Sequence, residues 1–340
     1  MKIRAIPTRL FLLLQSPRLL SWLLAYFMGV LVIGTIAQKY IGLFQATHLF
    51  FNSFIYWLGP LPVPAGASML ALLFINLLCH FITKSRWTMR HIGTTLAHLS
   101  VLVLLLGGGV TLFSKKEGFI ILRRNEAVQN MYDYHAREFL VVKNGRVIGR
   151  HNFAALKDDI IADSLKIKIA KTMRNATMQK EILTELPIKR DDEINQAGLA
   201  IAVNGMDIVT TEFLQPQPER LIGKDHYRFI LQRRKSTMPF SLLLQNFKQD
   251  YYQGTEIAQN YQSSLLVVEA GREWPVQISM NEPLRYKNYT LYQSSVLTLP
   301  NGETASVLNA VDNTGWLFPY IATAMMFTGL VLQLWVRRRG

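Results

Sequence analysis

The sequence predicts a mixed membrane protein: four transmembrane α-helices and one large β-rich extracytoplasmic domain, sandwich or barrel-like, set between the third and fourth helices. Three observations predict it. Half of the 340 residues are hydrophobic and the mean hydropathy is +0.15, too apolar for an ordinary soluble domain and too polar for a bundle of helices alone. Four stretches free of Asp, Glu, Lys and Arg approach or exceed the roughly 20 apolar residues that a bilayer needs. All 23 acidic residues lie between Glu117 and Asp312, so the excess positive charge of +14 sits mainly on the apolar parts of the chain.

The elements follow in order. Residues 1–18 form a basic cytoplasmic N-terminus and 19–37 the first span. The small residues Thr35 and Ala37 also fit a cleaved leader, but the basic start is long for one, and the stretch is read as a retained span. Residues 38–66 form an outer loop in which Phe44, His48, Phe51, Phe54, Ile55 and Leu58 recur at helical spacing, the pattern of an interfacial helix over 42–58. The second span is 67–83, a cytoplasmic turn occupies 84–91, and the third span is 92–113. The outer domain takes 114–315, the fourth span 316–336 and a cytoplasmic C-terminus 337–340.

Flanking charge orients the spans. Lys2, Arg4, Arg9, Arg18, Lys84, Arg86, Arg90 and Arg337 to Arg339 all fall on one side, whereas the 38–66 loop holds only Lys39. The positive-inside rule then places both termini in the cytoplasm and the large domain outside a bacterial cytoplasmic (inner) membrane. A nucleic-acid ligand is not expected, because that would put a basic stripe on the soluble domain, which is nearly neutral.

In the outer domain the period changes to two. Leu165, Ile167 and Ile169 alternate with Lys166, Lys168 and Ala170. Asn144-Gly145 and Ala270-Gly271 each separate two apolar runs, as hairpin turns do, and Tyr227–Leu231 and Tyr289–Tyr292 read as strands. Pro239–Asn246 reads as a short helix, and Asp191-Asp192-Glu193 as a solvated loop. No Gly-rich phosphate loop, Gly-x-Ser-x-Gly or His-Glu-x-x-His is present. His135, His151 and His226 are scattered and read as surface or structural residues. The lone Cys79 cannot form a dithiol, so the chain itself is not a thiol reductant or oxidant.

The informative polar residues lie in the spans. His98 is about 10 Å deeper than His91 on the same face of the third span, and an ionisable group at that depth marks function. Two readings stand for it: a haem-iron ligand, or a neutral imidazole bonded to a neighbouring helix. His80 and His91 are weaker candidates, and Arg90 is a candidate partner for haem propionates. Gly93 and Gly107-Gly108-Gly109 put small residues on span three for close helix approach, and Asn76 needs a partner within the helices.

Three stretches then carry a family resemblance. They are Gly34-Thr35-Ile36-Ala37-Gln38; His98-Leu99-Ser100 with Gly107 to Gly109 and Glu117-Gly118; and Ser279-Met280-Asn281-Glu282-Pro283-Leu284, continuing through Tyr286, Tyr289, Tyr292 and Gln293. Pro239-Phe240, Phe247, Tyr251-Tyr252 and Ser264 also fit. The chain resembles ResB (also called CcsB), one half of the system II cytochrome c biogenesis machinery. The resemblance implies a CcsA-type haem-handling partner, apocytochrome c as client, and thiol-reducing proteins in the same pathway. It implies haem b carried across the membrane and attached to Cys-x-x-Cys-His motifs, with His98 as one axial ligand and the partner supplying the other. It implies an unfused, accessory or non-catalytic subunit of a cytochrome c synthetase, with Gly34, Thr35, Gln38, Met280, Asn281, Pro283 and Gln293 as signature residues. The competing expectation is a membrane scaffold whose outer domain binds partners without haem contact.

Overall fold

The computed structural model describes residues 8–157, 159–163, 165–179, 182–212, 216–255, 258–298 and 302–339. Lys2 and Arg4 of the basic leader lie outside the described residues. The chain divides into two compact units, Met1–Lys115 with Asn313–Gly340, and Lys116–Asp312.

In the first unit, charge-free apolar runs leave the backbone one economical way to satisfy its own polar groups, the α-helix. A short α1 (Thr8–Leu14) precedes α2 (Pro17–Ile41), with Pro17 at its first turn, where no amide donor is needed. Asn76 bridges this break: its side-chain amide donates to the carbonyls of Leu14 at 2.5 Å and Ser16 at 3.2 Å. The partner that Asn76 needs is therefore the helix end itself.

After α2 come α3 (Leu43–Ala46), a π-helical turn over Thr47–Asn52, and a hairpin of β1 (Ile55–Leu58) and β2 (Leu61–Pro64). The single helix expected over 42–58 is thus corrected: only residues 43–52 are helical. Gly59, at φ +61, permits the reversal that turns 55–58 into a strand. Then α4 (Gly66–Lys84), α5 (Ile92–Ser114) and α6 (Phe318–Arg339) complete the unit. Helices of this length span roughly 28–38 Å at 1.5 Å per residue, and α2, α4, α5 and α6 are each long and apolar enough to cross a membrane.

The main helix contacts run α2 to α4, α4 to α5 and α5 to α6, an open row. The α5–α6 contact is the closest. A Cβ on Gly93 would stand 2.5 Å from the carbonyl of Gly329, and one on Gly329 would stand 2.8 Å from the carbonyl of Gly93. Gly107 meets Phe318 in the same manner. Gly108 and Gly109, expected to share this role, face open space.

The second unit is antiparallel. Its strands are β3 (Lys116–Leu122), β4 (Ala127–Lys143), β5 (Arg146–Asn152), β6 (Ile160–Ala162), β7 (Leu165–Met173), β8 (Ala176–Gln179), β9 (Ile182–Glu185), β10 (Gly198–Val203), β11 (Met206–Thr211), β12 (Glu219–Ile222), β13 (Asp225–Tyr251), β14 (Ala258–Glu269), β15 (Arg272–Ser279), β16 (Leu284–Tyr286), β17 (Tyr289–Thr298) and β18 (Thr304–Asp312). The large sheet runs β15-β14-β13-β4-β3-β18-β17-β16, with β5 beside β4 and β12 beside β13. Its far strands curl toward one another, since β14 and β15 pack on β17, which makes it partly barrel-like. A four-stranded sheet, β11-β10-β7-β6, forms the second layer. Asn144-Gly145 and Ala270-Gly271 both hold positive φ at two successive residues, the primed turn that the hairpins require.

Two apolar cores result. One joins Phe139, Val141, Phe229 and Leu231 of the large sheet to Ile167, Leu199 and Ile201 of the small one. The other fills the curl of the large sheet with Met238, Phe240, Leu242, Leu265 and Leu291. Strand β13 supplies both. The helix expected over Pro239–Asn246 is therefore corrected to strand. Phe240, Leu242 and Leu244 are buried on one face with period two, and Pro239 falls in the irregularity between Thr237 and Leu242, where its missing amide breaks no pairing.

A buried ionic group joins the layers. Glu212 after β11 meets Arg137 of β4 at 3.1 Å and Arg233 of β13 at 3.6 Å. Asp192 meets His135 at 3.1 Å, Arg174 at 3.3 Å and Arg137 at 3.8 Å. The solvated loop expected over 191–193 is thus corrected at Asp192 alone, which is buried among three cations or cation-forming side chains, while Asp191 and Glu193 are exposed. The His135 hydrogen bond, then the charges of Arg137 and Arg174, hold its carboxyl below the ordinary 3.8 against the opposing effect of burial. A depressed folded pKa stabilises above the unfolded value and is lost as pH falls through the folded one. Resistance of the β unit to urea is thus expected to fall as pH drops below 3.8, and Asp192→Asn is expected to flatten that acid limb while lowering stability near neutral pH.

Candidate functional site

The short 85–91 connection makes α4 and α5 an antiparallel pair. His80 lies four residues before the end of α4 and His98 six after the start of α5, depths of about 6 and 9 Å. The two imidazoles accordingly meet: their ring centres are 6.2 Å apart at an interplanar angle of 65°. His80 is half-buried and His98 exposed on the helix surface. Among the described residues neither ring has a hydrogen-bond partner in the chain.

The rest of α5 explains why His98 points away from α6. Ser100 lies roughly 160° around the helix from it and is buried, 3.6 Å from the sulfur of Met326 on α6. Gly93, roughly 140° around the helix from His98, likewise packs against the Gly329 carbonyl of α6. The turn is fixed too, since the Thr95 hydroxyl donates to the carbonyl of Arg86 at 3.0 Å. Lys84, Arg86, Arg90 and Trp87 of this turn are exposed, and Phe81 packs edge-on against Trp87. No acidic residue occurs anywhere in this unit's sequence.

His91 stands apart from the pair. It is the N-cap residue of α5, its carbonyl accepting from the Thr95 amide at 3.0 Å. A haem needs imidazole nitrogen for iron, apolar walls for its ring and cations for its carboxylates. The donor set around His80 and His98 fits that need: two imidazoles without protein partners, aliphatic helices and a basic turn without counter-charge.

The signature residues are structural in their contacts. Gly34 is buried, and a Cβ there would stand 2.6 Å from the ring of Phe51, so it seats the π-turn on α2. Thr35 returns its hydroxyl to Leu31 at 2.7 Å, and the Gln38 carbonyl accepts the Gly42 amide. Met280 and Asn281 form the exposed tip of a tight reversal in which Ser279 and Glu282 exchange backbone hydrogen bonds at 3.2 Å, with Pro283 half-buried behind it. Gln293 is buried and accepts from the Ser263 hydroxyl at 2.7 Å while donating to Ser306 at 3.1 Å. In the β unit, His135 and His226 pair with carboxylates, and the described residues hold no cluster of three metal-type ligands.

Sequence reasoning treated the span histidines singly. The pairing of His80 with His98 was nevertheless legible in the distances of both from the 85–91 turn.

Comparison with known proteins bears on the whole. Residues 223–315 match the ResB-like family model. The chain is also similar to Protein NrfI of Wolinella succinogenes, at 24% identity over 293 residues that cover 78% of this chain. It spans only about 30% of that protein's length. The matched segment contains the Ser279–Leu284 reversal and Gln293, so over residues 223–315 this chain is similar to the ResB-like family.

Proposed function

We propose that this chain serves cytochrome c biogenesis as a ResB-type subunit. With a CcsA-type partner it moves haem across the cytoplasmic membrane and assists attachment to Cys-x-x-Cys-His motifs of apocytochrome c. The observation that carries the reading is the exposed imidazole of His98 on a membrane-length apolar helix, without a hydrogen-bond partner in the chain. Left against hydrocarbon, that polar group is costly; an iron ligand role gives it a reason. The basic residues of the 84–91 turn set that end of the helices on the cytoplasmic side and lie where haem carboxylates would meet cations. The β unit acts outside the membrane and receives the apocytochrome, by strand addition or in a groove.

The test is co-purification with the partner. The complex is expected to show a haem absorption spectrum, and His98→Ala to lose most of that absorption and the maturation of a reporter cytochrome c. Unchanged haem content and maturation in His98→Ala would remove the ligand role.

A further inference from the structure

We propose that the β1–β2 hairpin is a lipid anchor: its bare face and tip lie at the headgroup–acyl boundary of the bilayer that α2 and α4 cross. The occupant of this surface is the membrane itself, whether or not the chain binds haem. Three observations support it.

The first is the exposed surface. Residues directly opposite each other across a hairpin share a face, so Ile55 and Trp57 stand with Pro64 and Pro62. Ile55 is 53% exposed, Trp57 is 61% exposed, and both prolines are exposed. The tip adds Leu58 at 62% and Leu61 at 60%. The other face is half-buried at Tyr56 and Val63, where the Tyr56 ring packs with its centre 4.7 Å from that of Phe50. No Asp, Glu, Lys or Arg occurs between Lys39 and Lys84. A two-stranded hairpin this apolar is not stable standing in water, and tryptophan beside leucines is a side-chain set of membrane interfaces.

The second is the backbone edge. Proline has no amide, so Trp57–Pro62 and Ile55–Pro64 are the pairs without ladder bonds, and their backbone groups point outward. The outward edge of β2 thus lacks amide donors at both positions. A further strand would find none there, which argues against a peptide added to this edge, and a donor-free edge costs less in an apolar medium. The Pro64 carbonyl accepts from the Tyr26 hydroxyl of α2 at 2.8 Å. The outward amides of Ile55 and Trp57, on β1, keep the hairpin at headgroup level, where water reaches them.

The third is the attachment. The Phe54 carbonyl accepts from the Ala65 amide at 3.0 Å and from the hydroxyl of Ser68, in the first turn of α4, at 2.5 Å. With Tyr26 on the other strand, the base is pinned to two helices of membrane length. It sits at the end of α4 remote from the basic 84–91 turn. Strands of four residues reach only about 13 Å from it, so the hairpin stays beside the surface at which α4 emerges.

The experiment uses the full chain with Cys79→Ala, carrying Leu58→Cys labelled with a nitrobenzoxadiazole dye, in vesicles of phosphatidylcholine and phosphatidylglycerol. The reference is the same label at Val147→Cys, an exposed site on β5. The Leu58 label is expected to emit at shorter wavelength than the reference and to lose most of its intensity to lipids carrying a nitroxide near the headgroup. Iodide on both sides of the membrane is expected to quench it less than the reference. Leu61→Cys carries the test should the Leu58 variant fail to fold. Iodide quenching equal to the reference, with no effect of the nitroxide lipids, places the tip in water and overturns the proposal. Protection from both quenchers also overturns it, since protein would then cover the tip, either a partner or the chain's own β unit.

Discussion

Glu212→Ala is expected to unfold the β unit at a markedly lower urea concentration than the parent, a loss of about 3–5 kcal/mol. The Glu212 carboxylate is nearly inaccessible and faces two guanidiniums, Arg137 at 3.1 Å and Arg233 at 3.6 Å, while its second oxygen accepts the Ala197 amide at 3.2 Å. Removing it strands two buried cations against each other and orphans a backbone donor. Burial already pulls the Arg233 guanidinium below its ordinary pKa, with Glu212 the leading group holding it charged. Glu212→Gln retains an acceptor for Ala197 and is expected to lose less. Tyrosine and tryptophan fluorescence of the full chain through a urea series reads both. Equal midpoints for Glu212→Ala and the parent would mean that the ionic group contributes nothing to the joint between the two sheets.

Gly93→Leu is expected to separate α5 from α6. Even a methyl group at this position would stand 2.5 Å from the Gly329 carbonyl and 2.6 Å from the Gln333 amide, and backbone atoms cannot rotate away. Gly93→Ala is expected to cost about 1–3 kcal/mol by overpacking, and the longer side chain more. The displacement would also part Thr94 from Gln333. The control lies on the same helix: a Cβ on Gly108 meets nothing within 4 Å, so Gly108→Ala should be neutral or slightly stabilising. Thermal melts of the detergent-solubilised chain compare the variants. A Gly93→Leu melting temperature within error of Gly108→Ala would show that the two helices do not depend on this contact.

How much was legible beforehand varied with the range of the interaction. The four helices were plain because each apolar run lacks charge over a whole membrane thickness, a local property. The hairpins at Asn144-Gly145 and Ala270-Gly271 were also local, two residues between two apolar runs. Pro239–Asn246 failed because its period-two burial competes with three successive leucines, Leu242 to Leu244, that favour a helix in isolation. Only the two cores flanking β13 decide it. Asp192 looked solvated because its cationic neighbours come from Arg137, His135 and Arg174, as far as 57 positions away in sequence. The histidines were recognised, but their partnership depends on how two helices turn back at 85–91.

The sheet order has a consequence for where the family signature can be cut. The matched segment 223–315 begins just before β13 and ends after β18. These strands are not neighbours: β4 and β3, drawn from residues 116–143, are interposed between them. Excised, the segment would carry two raw hydrogen-bonding margins, and the apolar interior of the curl would lose Ile120, Leu122 and Met131. The matched block is therefore a sheet in two pieces. The seam between them is closed only by the stretch of chain that directly follows α5.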